Sequence, residues 1–189
     1  MVSITPYSNK YFQEWNDFIT NSKNATFLFH RDYMDYHSDR FQDCSLMFFK
    51  EDELIALLPA SVQEDVLYSH QGLTYGGLLL NSKIGTQLVL ECFTQLRSYL
   101  IENKFKKLVY KVIPYIYHKL PANEDLYALF RVGAKLCRRD LSSTIEMGSR
   151  LDFSTRRKRG IKKAQKHDII CRESLDLESF HQMLSQVLS

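Results

Sequence analysis

The longest helical pattern in the chain runs from Lys83 to Asn103, with Leu88, Cys92, Leu96, Tyr99 and Leu100 on one face. Directly after it, Lys107 to Ile113 reads as a short apolar strand ending at Pro114. A helix with one apolar face followed at once by an apolar strand is the pattern of a crossover lying on a sheet, and this restricts the chain to layered α/β architectures. The flanking segments agree. Val2 to Thr5 is strand-like, and Asn9 to Thr20 carries Phe12, Trp15, Phe18 and Ile19 at helical spacing, which places Trp15 in the core. Arg31 to Phe41 reads as a second short helix. Cys44 to Lys50 and Leu54 to Val62 form a hairpin around the acidic turn Glu51-Asp52-Glu53, and Gln63 to Tyr68 prolongs the strand. A short helix from Asp125 to Arg131 and a last strand from Ala134 to Glu146 complete a mixed, mostly antiparallel sheet flanked by helices, an α/β (α+β) fold.

At 189 residues the chain is long enough for a substantial core. Its 13% aromatic content, four prolines and seven glycines exclude disorder and fibrous repeats. No apolar run reaches the ~18 residues of a membrane helix, and the N-terminus lacks a signal-peptide pattern, so a cytoplasmic protein is expected. Cys44, Cys92, Cys137 and Cys171 are scattered without a CxxC pair, which predicts buried thiols, no disulfide framework and no metal.

Three of the seven glycines, Gly72, Gly76 and Gly77, lie within six residues beside His70, Thr74 and Tyr75. Such a cluster marks a sharp turn or a close approach of backbone to a ligand. No GxGxxG or GxxxxGK[ST] is present, so this is not a dinucleotide or P-loop fingerprint. Arg31, Tyr33, Tyr36, His37 and Arg40 either line a substrate cleft or form a helix with its tyrosines packed inward. His118 beside Glu124-Asp125 is the constellation from which a general base is built, and equally a surface histidine beside helix-capping acids; the second is the preferred reading.

The charge is concentrated elsewhere. Between Ser154 and Lys166, Arg156, Arg157, Lys158, Arg159, Lys162, Lys163 and Lys166 are basic and nothing is acidic. Of 25 Lys+Arg against 22 Asp+Glu, these seven leave 18 against 22 elsewhere, a balance of −4. Ser154 or Thr155 is a suitable N-cap for a helix to about His167. Cations in the first turn oppose the helix dipole, at a cost of roughly 0.3–1 kcal/mol each when exposed. A phosphate there reverses the sign, meeting N–H donors, dipole and guanidinium forks together. A solvated charge run is the alternative.

The order of elements resembles that of GNAT-fold acyltransferase domains. The stretch RKRGIKKAQKHDII is similar to the RRxIRKAxKxG[VI] signature opening the second of two GNAT-like domains in FemAB-type transferases and their relatives in bacterial polysaccharide biosynthesis. The matching positions are Arg157, Lys158, Arg159, Ile161, Lys162, Lys163, Ala164, Lys166 and Ile169, while Asp168 stands where the family usually has Gly. In FLFHRDYMDYH, His37 occupies the place of a family lysine. Arg157 to Lys162 also begins like the coenzyme A pyrophosphate loop [QR]xxGx[GA], but Lys162 replaces the small final residue. The resemblance implies a GNAT-like domain over 1–148 and the start of a second over 149–189, made of the basic helix, a strand Ile169 to Arg172 and a helix from about Asp176. The apolar face Leu177, Phe180, Met183, Leu184, Val187 and Leu188 of that last helix then needs a cover: the first domain, another copy in a homo-oligomer, or the remainder of a second domain.

The leading functional expectation is an acyl- or aminoacyl-transferase acting on an amine of a cell-envelope sugar or peptide precursor. The resemblance implies acetyl-CoA or another acyl-CoA as donor, or aminoacyl-tRNA. The base would come from His70, Tyr75 or His118, the anion site from the basic helix, and the substrate cleft from Arg31, Tyr33, His37, Gly76 and Gly77. A nucleic-acid module gripping phosphates through the basic helix is a second reading, with a log–log salt slope of about −0.9 per duplex phosphate. Against it stand the absence of any helix-turn-helix, zinc-finger or RNP pattern and a net charge of only +3. A non-catalytic interaction domain using the 177–188 face is the third.

Overall fold

The computed structural model describes residues 1–36 and 38–188. The chain divides into two compact units, Met1–Cys137 and Arg138–Ser189.

The first unit is built on a sheet. β1 (Val2–Pro6) pairs antiparallel with β3 (Leu46–Lys50), and β3 with β4 (Glu53–Leu58). The short β2 (Gln42–Asp43) pairs with β5 (Ser61–Gln63), which forms a hairpin with β6 (Val66–Tyr68). These ladders join, because Asp43 faces Ser61, Leu46 faces Leu58 and the Cys44 N–H bonds to the Ala60 carbonyl at 2.9 Å, so one register runs through both. β7 (Leu79–Leu80) pairs with β4, and β8 (Lys107–Val109) lies parallel to β6. The parallel step is made by α3 (Thr86–Glu102), the crossover helix read from the sequence.

Alternation along the strands makes two cores. Leu46, Phe48, Ala56, Leu58, Leu78 and Leu80 point to the face covered by α3, through Val89, Cys92, Phe93 and Leu96, and by Ala128 of α4 (Glu124–Arg131). Met47, Leu57 and Leu79 point to the opposite face, covered by Trp15, Phe18 and Ile19 of α1 (Phe12–Asn21) and by Phe29 and Met34. Trp15 is fully buried, and its indole N–H bonds to the Phe29 carbonyl at 2.8 Å.

Several expected elements differ. The helix over 31–41 is cut to α2 (Arg31–Asp35), and the chain then turns into β2. The strand over 54–62 is interrupted after Leu58, and Gln63 to Tyr68 folds back as a hairpin, with Glu64 in the left-handed region at φ 54°. β8 stops at Val109, where the Ser69 N–H makes the last backbone bond, and the Lys111 N–H donates to Ser69 Oγ at 2.6 Å in place of a ladder carbonyl. No strand forms over 134–146. Its large apolar residues Leu136, Leu141 and Ile145 are five and four apart, so no period-2 register places all three on one face.

The second unit contains α5 (Thr155–Lys166) and α6 (Leu177–Leu188). Ile169 to Arg172 forms no strand; Ile169 and Ile170 are exposed, with no edge to pair with. Among the described residues of this unit none is buried, and Cys171, like Cys137 of the first unit, is an exposed thiol where a buried one was expected.

Where β8 leaves β6, the outer edge of β7 loses its strand partner. The segment Ser22–Asn24 replaces it. The Asn24 side-chain amide donates to the Leu78 carbonyl and accepts from the Leu80 N–H, both at 2.9 Å, while Lys23 N–H and Ser22 Oγ donate to the Leu80 carbonyl at 3.0 and 2.8 Å. Asn24→Ala orphans two buried backbone groups at about 1–3 kcal/mol each. Urea denaturation is expected to show a midpoint shift of that size with an unchanged slope.

Candidate functional site

The Gly-rich stretch is an excursion from the sheet. Ser61 faces Tyr68 and Leu57 faces Leu79, so four steps along one strand oppose eleven along the other, and seven residues leave the ladder between β6 and β7. The neck is narrow: a Cβ on Gly76 would lie 1.9 Å from the Ser69 carbonyl oxygen. Gly77 has φ +92°, in the left-handed region, with the Tyr110 ring 2.9 Å from where a Cβ would sit. Lys111 holds the excursion from inside, its ammonium donating to the carbonyls of His70, Gln71 and Leu73 at 3.1, 3.2 and 2.7 Å.

The residues singled out in this loop serve its shape. His70 is 3% exposed with φ 59°, its ring set edge-on against Phe41 at 5.9 Å. The Tyr75 hydroxyl donates to Thr26 Oγ1 at 3.1 Å and its ring stacks on Tyr117 at 5.1 Å. Burial pushes the Tyr75 phenol above its ordinary value, which keeps it protonated at neutral pH.

Arg31 is 2% exposed; both terminal nitrogens of its guanidinium are engaged, while the buried Nε has no hydrogen-bond partner among the described residues. Its guanidinium lies 3.9 Å over the Tyr7 ring, pairs with Asp35, and reaches Asp43 at 3.2 Å and Ser45 Oγ at 3.4 Å. These contacts tie α2 to the sheet. Tyr33 is exposed and meets Phe27 edge to face at 5.5 Å. His37 lies outside the described residues. The seven cations of α5 are all exposed, in the second unit; Ser154 caps the helix by accepting from the Arg157 N–H at 3.4 Å, and Lys158 reaches Asp152 at 3.5 Å.

His118 has the most chemically active surroundings of the three histidine and tyrosine candidates. It follows a 3₁₀ turn, Tyr115–Tyr117, and Lys119 and Leu120 next to it donate their N–H groups to the Lys23 carbonyl at 2.8 and 3.1 Å. With Tyr115, Lys119, Leu120, Pro121 and Asn123 it lines an open cleft of about 280 Å³. The acids beside it begin α4, as the sequence suggested. Glu124 pairs with the buried Lys23 at 2.5 Å, and Asp125 accepts from the Tyr110 hydroxyl at 2.8 Å and from its neighbour's N–H at 2.7 Å. The Tyr110 hydroxyl in turn accepts from the Leu78 N–H at 2.6 Å.

Burial lowers the His118 pKa below 6.5, outweighing Asp125, a hydrogen bond to the Ile113 backbone, and Glu124, all of which raise it. The ring is therefore neutral at physiological pH. Its Nε2 and the Glu124 Oε2 are buried and find no hydrogen-bond partner among the described residues. Burial likewise raises Asp125 above 3.8, against the lowering effect of the Tyr110 bond.

No local pattern marked Lys23, Tyr110 or Lys111, whose partners lie tens of residues away. One missed feature had a local signal. Among the described residues α3 is the only α-helix of the first unit with no acid in its first turn; Gly85 is its N-cap, a Cβ there would meet nothing within 4 Å, and the exposed Lys83 precedes it.

No protein-family profile matches the sequence, and no curated protein matches it. Solved structures do match in fold. AAC(6')-Iy, in complex with the bisubstrate analogue CoA-S-monomethyl-acetylneamine, aligns over 77% of this chain and 99% of its own at 11% identity, with a TM-score of 0.50. This chain has the GNAT acyltransferase fold. Two aminoglycoside antibiotic 6'-N-acetyltransferases align more loosely: AAC(6')-Ih from Acinetobacter baumannii (14% identity, 78% of this chain, 100% of that chain, TM-score 0.46) and AAC(6')-IG from Acinetobacter haemolyticus (13%, 79%, 99%, 0.41). Among the described residues no helix is long and apolar enough to cross a membrane, and no group of three metal-ligating side chains occurs.

Two measurements follow from the site. Tyr110→Phe removes the acceptor of the Leu78 N–H and a donor to Asp125, at an expected cost of about 1–3 kcal/mol in chemical denaturation. Because the folded His118 pKa is below the unfolded one, the unfolded chain binds more protons as pH falls beneath about 6.5, and stability drops through that window. His118→Gln is expected to flatten this part of the stability–pH curve.

Proposed function

We propose that the protein is an acyltransferase that transfers an acyl group to an amine, with His118 as the group that takes the amine proton. The observation carrying this reading is a neutral imidazole bordering an open cleft in a GNAT-fold unit, its buried Nε2 without a partner among the described residues. An amine attacks only as its free base, so a base with a pKa below neutrality and its acceptor nitrogen uncommitted meets the requirement. Glu124 and Asp125 stabilise the imidazolium formed when the proton arrives.

In this reading an acyl-coenzyme A donor would be received at the start of α3. Lys83 and the first turn of α3, which has no side-chain cap, would hold its phosphates, since N–H groups, the helix dipole and a cation act in the same direction. When bound, the thioester supplies an activated carbonyl. The outer edge of β7 offers it no pairing, because Ser22, Lys23 and Asn24 already bond there. In the FemAB-type version of this reading the acceptor is a cell-envelope sugar or peptide precursor, and aminoacyl-tRNA replaces acyl-coenzyme A. The cations of α5 then serve as a phosphate site and the α6 face as the contact with further protein.

The test is acetyl transfer from acetyl-coenzyme A to a panel of primary amines, followed by thiol release. His118→Ala is expected to lower kcat/KM by about 10²–10⁴-fold, the usual contribution of a positioned base. The wild-type acid limb should lie below pH 6.5 and vanish in the variant. An unaltered limb in His118→Ala would exclude the histidine as the base.

A further inference from the structure

The second unit holds the positive charge of the chain. Residues 138–189 contain 11 Lys and Arg against 7 Asp and Glu, a balance of +4, so the first 137 residues sum to −1 within the total of +3. Acyl transfer at His118 makes no use of this asymmetry.

The cations are ordered on one side of α5. At 3.6 residues per turn, Arg156, Arg159, Lys162, Lys163 and Lys166 fall within an arc of about 120°, in a stripe about 15 Å long. Ala164, the one residue of the helix that is not exposed, lies on the opposite side with Ile161. Among the described residues none of the five stripe cations has a carboxylate or other side-chain hydrogen-bond partner; Lys158, outside the arc, is the cation that meets Asp152. Arg159 and Lys163, and Lys162 and Lys166, are like charges four residues apart, which oppose the helix that carries them. An anionic surface against the stripe removes that repulsion.

A different feature adjoins the helix at each end. Leu151 is 91% and Phe153 54% exposed just before it, and Ile169 is 66% and Ile170 77% exposed just after it. Cations alone would suit a nucleic-acid backbone, but phosphodiesters leave such side chains in water. Nor is the stripe preorganised, since no neighbour holds its long side chains in one geometry, as a site matched to fixed carboxylates on a folded partner requires. A lipid surface meets both conditions. Its anionic headgroups are mobile and move to the cations, and apolar side chains beside them enter the acyl boundary. α6 has no Lys or Arg and one carboxylate, Glu178, so an anionic surface has nothing to hold there.

We infer that α5 and its flanking apolar residues bind the surface of an anionic lipid bilayer, a peripheral attachment that is independent of the acyl-transfer reading. The test is co-sedimentation of the full chain with vesicles of phosphatidylcholine alone and of phosphatidylcholine mixed with phosphatidylglycerol, at about 0.1 M and about 1 M salt. Binding to the mixed vesicles at the lower salt is expected, with none to phosphatidylcholine and loss at the higher salt. Lys162→Gln with Lys163→Gln is expected to weaken it roughly 30-fold, about fivefold for each cation removed. Leu151→Ser with Ile170→Ser should weaken it about tenfold, an effect that attraction between charges alone would not show. All four residues are exposed, so both variants should keep the wild-type melting temperature. No sedimentation with the mixed vesicles, or equal binding by either double variant, would overturn the inference. Tighter binding to a DNA duplex than to the mixed vesicles at the same salt, unchanged by Leu151→Ser with Ile170→Ser, would make a nucleic acid the partner and overturn it too.

Discussion

Backbone amides cannot be buried without partners, and one strand of this protein is set to lose them. β6 and β8 stay parallel for three residues and then part, leaving the far edge of β7 facing protein interior. The Asn24 amide takes over the pattern of a neighbouring strand, one donor and one acceptor reaching Leu78 and Leu80. Because Lys23 is held there too, its carbonyl can receive Lys119 and Leu120, and its ammonium can pair with Glu124. The position of His118 thus depends on a bond network that begins at the end of α1. A broken sheet edge and the histidine beside an open cleft are one construction.

The same reasoning explains why so many polar side chains lie inside the first unit. Arg31, Lys111, Tyr110 and Ser45 each satisfy buried groups that the sheet geometry leaves over. Lys111 is the extreme case, with three carbonyls of one loop on a single ammonium. Such a loop is fixed from beneath, so its outer side keeps a defined shape. Burial costs of this kind are offset only when the geometry is complete; Lys111, Tyr110 and Ser45 have their partners within two or three elements, while the buried Arg31 Nε has none among the described residues.

The second unit follows different physics. α5 forms from local signals, a Ser154 cap and good helix formers, with its cations exposed along its length. α6 has a continuous apolar face of Leu177, Phe180, Met183, Leu184 and Val187, all exposed. In both helices the pattern visible in the sequence and the helix in the structure coincide, because nothing in their formation needs a distant partner.

That difference separates what could be read early from what could not. The crossover α3–β8, the amphipathic α1 with Trp15 inside, the hairpin at Glu51–Glu53, the helix at Glu124 and the capped basic helix all follow from periodicity, caps and turns within a few residues. The tight Gly76 neck was marked by glycine clustering, though the loop's partner was not. The failed strands at 134–146 and 169–172 show the limit: strand propensity forms no strand without an edge to bond. Arg31 and His70 read as site residues because their types suit chemistry, yet their neighbours commit them to structure. The neutral state of His118, the amide row of Gln63 and Gln71 and the Asn24 bridge were decided by tertiary structure alone. They depend on groups brought together by the fold, across as many as 56 residues between Asn24 and Leu80, and burial and hydrogen bonding there are properties of the assembled neighbourhood.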